Sequence, residues 1–242
     1  MAKILAVTSI YKREDGAFRC NEVYYEKDGE FFVGEHPRED FHKYNAPPLS
    51  ELRNTKTISL LNFPSYDESI FGTSYTRPPS GCHVRRPHIV RITTESGAPQ
   101  VRHEALVYDA IRKCPHPRLI TPFGCWVRQG RVVAFLFRKL KCTLNDAVEA
   151  DPGINIDAAF RDIRSAVDHL HHLGFCHNDI HMNNVMFDDE RNAYLIDYEY
   201  AYPERNELVE INKTSSKKND FDAIQRMQHE VAAMQALLSK RI

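Results

Sequence analysis

No stretch of this 242-residue chain stays apolar for long. The longest run, Val132-Val133-Ala134-Phe135-Leu136-Phe137, covers six residues, whereas a bilayer-crossing helix needs about 20. The opening residues 1–12 are too short and mixed for a secretory leader. The six cysteines form no CxxC pair, which speaks for reduced thiols rather than a disulfide framework or a zinc knuckle. Histidines gather between His169 and His181, yet no ligand spacing supports a zinc site. The expectation is a cytoplasmic protein with no membrane partner. Neither sign of charge dominates: Lys plus Arg is 32, Asp plus Glu is 33, and the net charge is −1. That balance argues against a generic polyanion binder. The basic stretch Arg77, His83, Arg85, Arg86, His88 and Arg91 reads as a solvated loop or a phosphate-binding edge ahead of a nucleic-acid surface. Internal repeats and low-complexity tracts are missing too.

What is present is ordinary globular material, 42% hydrophobic and 27% charged, enough for one domain of two lobes. Alternation of apolar and polar residues predicts strands over Ile4–Tyr11 and within Val23–Val33, with Lys27-Asp28-Gly29 as a hairpin turn. Thr57–Phe63 and His88–Thr93 read as further strands, and the Pro-rich residues 64–87 as loop or a poorly regular hairpin. Val101, Ala105, Tyr108 and Ile111 recur at helical spacing within Gln100–Lys113. Two strands follow, Leu119–Val127 and Val132–Leu140, joined at Gln129-Gly130. A short helix is predicted over Leu144–Ala150, and a long one capped by Asp157 and ended by Gly174. A polar loop (177–184), two short strands (Val185–Phe187, Tyr194–Asp197), a loop over 201–219 and a last helix over Asp220–Lys240 complete the chain. The order predicts an α+β fold, rich in β at first and mostly helical later.

The informative string is His177-Asn178-Asp179-Ile180-His181-Met182-Asn183-Asn184, followed by Leu195-Ile196-Asp197-Tyr198-Glu199. Each residue alone would pass as a cap or a turn. Together, after a long amphipathic helix, they resemble the kinase H-x-D-x-x-x-x-N loop and the metal-binding Asp of D-F-G. Phosphoryl transfer relies on positioning and charge neutralisation. One carboxylate orients the acceptor hydroxyl, while a second carboxylate and an amide oxygen hold Mg²⁺ against the phosphates. In that pattern Asp179 is the base, and Asn184 and Asp197 are metal ligands, with Asn184 also counted at the nucleotide.

Flanking residues extend the likeness. Glu104 takes the place of the helix-C glutamate. His116-Pro117-Arg118-Leu119-Ile120 matches the step into the fourth strand, Phe137-Arg138-Lys139-Leu140 the adenine-facing hinge, and Asp220 the buried Asp that holds the loop. The chain is similar to small fungal protein-kinase-like proteins with a shortened helical lobe, and more distantly to choline kinases and aminoglycoside phosphotransferases. The resemblance implies a two-lobed protein-kinase-like fold. Residues 1–140 would be the β-rich lobe (1–87 an extension with strands, 88–140 the kinase-like core), and residues 141–242 the truncated helical lobe. ATP and Mg²⁺ would be the cofactors.

Four departures qualify that reading. Arg91 stands where the likeness calls for the phosphate-holding lysine, and is expected to pair with Glu104. No G-x-G-x-x-G precedes it. Glu199 replaces the glycine after Asp197-Tyr198, adding a carboxylate that could be a further metal ligand. No A-P-E follows, so the usual shelf for a protein substrate is missing and a small-molecule acceptor is favoured. Asp188-Asp189-Glu190 reads as a solvated turn. Three functions stay open: an ATP/Mg-dependent phosphotransferase, a degenerate pseudokinase acting as a binding or regulatory module, and a kinase fold recruited to another ATP- or tRNA-dependent transfer in fungal secondary metabolism.

Overall fold

A computed structural model describes residues 2–12, 14, 16–40, 47–151, 154–208 and 213–240. The architecture is mixed α+β, with β-rich N-terminal sheets and helices after them. Contacts divide the chain into two compact units. One holds Met1–Tyr66, Arg86–Val101 and Val127–Ala134; the other holds Asp67–Arg85, Arg102–Trp126 and Phe135–Ile242.

The first unit is built on an antiparallel meander, β1 (Lys3–Tyr11), β2 (Phe18–Lys27), β3 (Glu30–His36) and β4 (Arg53–Ile58), in that order. Asp28 and Gly29 both have positive φ, 51° and 82°. This is the backbone a two-residue hairpin needs to match the strand twist. Phe31 and Phe63 meet at 5.1 Å between ring centroids, and both are buried. The strand expected over Thr57–Phe63 ends at Ile58. There the Ser59 side chain accepts the Leu61 N–H and starts a 3-10 turn, Leu60–Asn62.

The segment His88–Thr93 is not a strand. After α1 (Glu68–Phe71), Ile89–Ile92 forms the one-turn helix α2. Its β-branched residues suggest a strand, but the buried pair Ile89 and Ile92 is three apart, a helical period.

In the second unit, the stretch 67–85 carries more order than its prolines suggest. β5 (Ser74–Tyr75) and β6 (His83–Arg85) flank β7 (Gly124–Arg128) and β8 (Arg131–Phe137), two strands whose residues 127–128 and 131–134 fall in the first unit, in the order β5-β7-β8-β6. Helix α3 (Gly97–Lys113), whose residues 97–101 fall in the first unit, buries Val101, Ala105, Tyr108 and Ile111, the expected stripe. β9 (Cys142–Thr143), β10 (Val185–Phe187) and β11 (Ala193–Leu195) form a sheet in the order β11-β10-β9. Around it lie α4 (Leu144–Ala150), which opens on a Thr143–Asp146 capping box, α5 (Asp157–His172) and α6 (Lys217–Leu238). Asp157 does not cap α5. It is the first helical residue, where a carboxylate suits the helix dipole. Within the loop expected over 201–219, β12 (Glu207–Leu208) pairs with β13 (Lys213–Thr214), and residues 209–212 lie outside the described residues. No helix among the described residues is long and apolar enough to cross a membrane.

Candidate active site

The loop after α5 is pinned from below. Gly174 leaves the helix at φ +90°, and Asn178 takes a left-handed φ of 66°. Asp220, fully buried at the start of α6, accepts the main-chain N–H of His177 at 2.7 Å (Oδ2) and of Asn178 at 2.8 Å (Oδ1). Its Oδ2 also lies 2.8 Å from His171 Nε2. Asn178 ties the same loop sideways, donating to the carbonyls of Cys176 and Tyr200 and to Ser215 Oγ. His177 is buried, with Nε2 at 3.0 Å from the Ile196 carbonyl. His177, Asn178 and Asp220 therefore hold the backbone, which leaves the next side chain to point away from it.

That side chain is Asp179. Asn184 Nδ2 donates to the Asp179 carbonyl at 2.8 Å and to Asp179 Oδ2 at 3.1 Å. With its nitrogen turned to Asp179, the Asn184 amide presents its oxygen elsewhere. His181 Nδ1 accepts the Asn183 N–H at 3.2 Å, so its Nε2, which faces Asp179 Oδ2 at 3.5 Å, carries the proton in the neutral ring. The contact with His181 holds the Asp179 carboxyl below its usual range, and Asp179 raises His181 in return.

Asp197 reaches this neighbourhood through strand register. Val185 pairs with Leu195 across β10 and β11, and the Ile196 N–H continues to the Asn184 carbonyl at 3.0 Å. The chain then turns at Asp197 with φ 66°.

A guanidinium completes the cluster, and it belongs to Arg85. Arg85 Nη1 is 2.5 Å from Glu104 Oε1, and Nη2 is 2.6 Å from Asp197 Oδ1 and 3.6 Å from Glu199 Oε2. The expected partner of Glu104, Arg91, sits instead on α2 in the other unit. The reason is register. Arg85 lies opposite Phe135 in the antiparallel β6–β8 pair, so both side chains leave the same face of the sheet. Phe135 packs edge-on against Tyr108 of α3, and Tyr108 donates to Glu104 Oε1 at 2.7 Å. Phe137 and Tyr198 close on the same Tyr108 ring at 5.6 and 5.4 Å. Burial pushes the Glu104 carboxyl up against the pull of Arg85. Burial also opposes the Arg85 charge, but Glu104, Tyr108 and Asp197 outweigh it and hold that charge well above the usual range.

Two groups of side chains thus form within the second unit, Arg85 with Glu104, Asp197 and Glu199, and Asn184 with Asp179, joined through the backbone bond from Ile196 to Asn184. Such a set can orient a hydroxyl, bind phosphate oxygens and offer oxygen ligands to a hard cation. The sequence of the site has a counterpart. The model of the phosphotransferase enzyme family matches residues 127–204. This match spans less than half of the chain and runs from β7 past Asp179, Asn184, Asp197 and Glu199, leaving Arg85 and Glu104 upstream of it. No curated protein matches the chain. Arg85 is the residue that sequence reasoning missed. Its signal was weak: a three-residue strand between prolines, inside a stretch that looked simply basic.

The turn at Asp188 also differs from expectation. Asp188 is buried, not solvated. It accepts the N–H groups of Glu190 and Asn192, the Asn192 amide and the Tyr194 hydroxyl. It anchors the β10–β11 hairpin that carries Asp197.

Proposed function

We propose that this chain is an ATP- and Mg²⁺-dependent phosphotransferase of protein-kinase-like fold whose acceptor is a small molecule. The observation that carries the reading is the Asn184 amide bonded to Asp179, coupled by the β10–β11 register to Asp197. The match of residues 127–204 to a phosphotransferase family supports it from the side of sequence.

The donor set suits a divalent cation. Glu104, Asp197 and Glu199 lie within 3.6 Å of a single guanidinium, which gathers carboxylate oxygens from separate segments of the chain. Asn184, Asp197 and Glu199 would hold Mg²⁺ through oxygen. When bound, the metal supplies charge neutralisation at the phosphates. The chain's own residues do the rest. Asp179 accepts the acceptor hydroxyl proton, and its depressed pKa keeps it ionised and ready at neutral pH. Arg85, held by Glu104, takes the place of the phosphate-binding lysine with a planar fork suited to phosphate oxygens. The backbone of Phe137–Leu140 would hold the adenine, the role the resemblance gives it.

Thermal unfolding with ATP, with and without Mg²⁺, tests the reading. Mg·ATP should raise the Tm of the parent, and Asp197→Asn should abolish the metal-dependent part. If the variant is stabilised as strongly as the parent, Asp197 is no metal ligand. One observation favours a second reading, a pseudokinase acting by binding: Asp197 Oδ1 is already engaged by Arg85. In that case the Asp179→Ala variant keeps full biological activity.

A further inference from the structure

Beside Asp179 lies a cleft of about 420 Å³, entirely within the second unit. Its far wall is α6, which contributes Arg226 and Glu230, one helical turn apart. At that spacing opposite charges commonly pair. Here they do not: among the described residues neither side chain has an ion-pair or hydrogen-bond partner. Ile180, Ala223 and Met227 give the rest of the lining its apolar part, and Asn178, His181 and Asn219 its polar part. No Phe, Tyr or Trp is among the residues that line the cleft, so there is no aromatic cage for a quaternary ammonium.

We propose that this cleft is the acceptor site and that it takes a hydroxylated zwitterion, a small molecule carrying a carboxylate and a primary amine. The proposal rests on the phosphotransferase reading and names its substrate class. The carboxylate meets the Arg226 fork, the ammonium meets Glu230, and the carbon skeleton crosses Met227 and Ile180. The hydroxyl is then left at Asp179. In the transfer, Asp179 takes the hydroxyl proton, the acceptor oxygen bonds to the γ-phosphorus of ATP, and the bond from that phosphorus to the bridging oxygen breaks, releasing ADP.

The test is ADP release by the full chain with Mg·ATP and matched acceptors. L-serine and L-homoserine are compared with ethanolamine and 3-aminopropanol, which lack the carboxylate, and with 3-hydroxypropanoate and 4-hydroxybutanoate, which lack the amine. The amino acids should be preferred in kcat/KM by about tenfold or more, the scale of one charged contact. Arg226→Ala should erase the preference over the amino alcohols by raising KM while kcat stays close to the parent's, the mark of lost uniform binding. Glu230→Gln should do the same toward the hydroxy acids. Equal turnover of all three groups overturns the proposal. So does silence from every compound while Mg·ATP still raises the Tm, in which case the phosphotransferase reading stands without this acceptor class. If Mg·ATP leaves the Tm unchanged, both fall.

Discussion

Two aspartates 41 residues apart in the chain show how burial decides a residue's task. Asp220 is fully buried and receives two backbone N–H groups, whereas the Asp179 side chain is 38% exposed and lines the cleft. Asp220→Ala should lower stability by about 1–3 kcal/mol, because the His177 and Asn178 donors lose their acceptor inside the protein. Asp179→Ala should melt close to the parent and lose turnover by about 10² to 10⁴, the usual cost of a positioned base. Chemical denaturation beside an ADP-release assay separates the two. Asp188 carries a pH dependence. Burial alone would raise its carboxyl, but the bonds from Asn192, Tyr194 and Glu190 prevail and lower it below the ordinary value. A carboxyl with a depressed folded pKa stabilises the protein above its unfolded pKa, about 3.9, and loses that contribution as pH falls through the folded value. Asp188→Asn should therefore be destabilised at pH 7, and the gap to the parent should narrow below pH 4. A constant gap from pH 7 to pH 3 would show that the charge is not what those donors seek.

At the scale of elements, the site depends on a three-residue strand. β6 is short, but its pairing of His83, Val84 and Arg85 with Phe137, Leu136 and Phe135 aims Arg85 at α3. Removing one partner of a buried ion pair costs about 3–5 kcal/mol, since the other charge is left without compensation. Arg85→Ala should accordingly fall far in stability, with Glu104 stranded at 5% side-chain exposure. Arg85→Lys keeps the charge but not the fork, so it should recover stability in part while the span from Glu104 to Asp197 is lost. Urea melts of the pair of variants check this: equal losses for Ala and Lys would mean that the fork geometry, not the charge, is what the site requires. The helix α3 was readable in advance from its apolar stripe, and so was α4. The strand β6 was not, because a strand of three residues has too little periodicity to register, and its order comes from β8.

For the whole molecule, the cysteines give a direct probe of packing. All six are free thiols. Cys20, Cys125 and Cys176 are buried, Cys82 and Cys142 are intermediate, and Cys114 is exposed. Burial pushes the Cys125 thiol up to about 11, far from the reactive thiolate. A thiol reagent should label Cys114 rapidly in the native protein and Cys125 only on unfolding, with all six reacting in denaturant. Labelling of Cys125 at the rate of Cys114 would show that the β7 region opens without global unfolding. The chain by itself determined what depends on near neighbours: the hairpin turn at Asp28-Gly29, the helical stripes, the spacing of Asp179 and Asn184, and the place of Asp220 at the head of the last helix. Those features rest on backbone sterics and on short periods, which any stretch of sequence displays openly. Tertiary structure alone decided that Arg85, not Arg91, meets Glu104, and that Asp188 is an anchor rather than a solvated turn. It also decided that Arg226 and Glu230 share a cleft with Asp179. Each of these turns on strand register or helix packing between segments distant in sequence, where a shift of one residue in pairing sends every side chain to the opposite face.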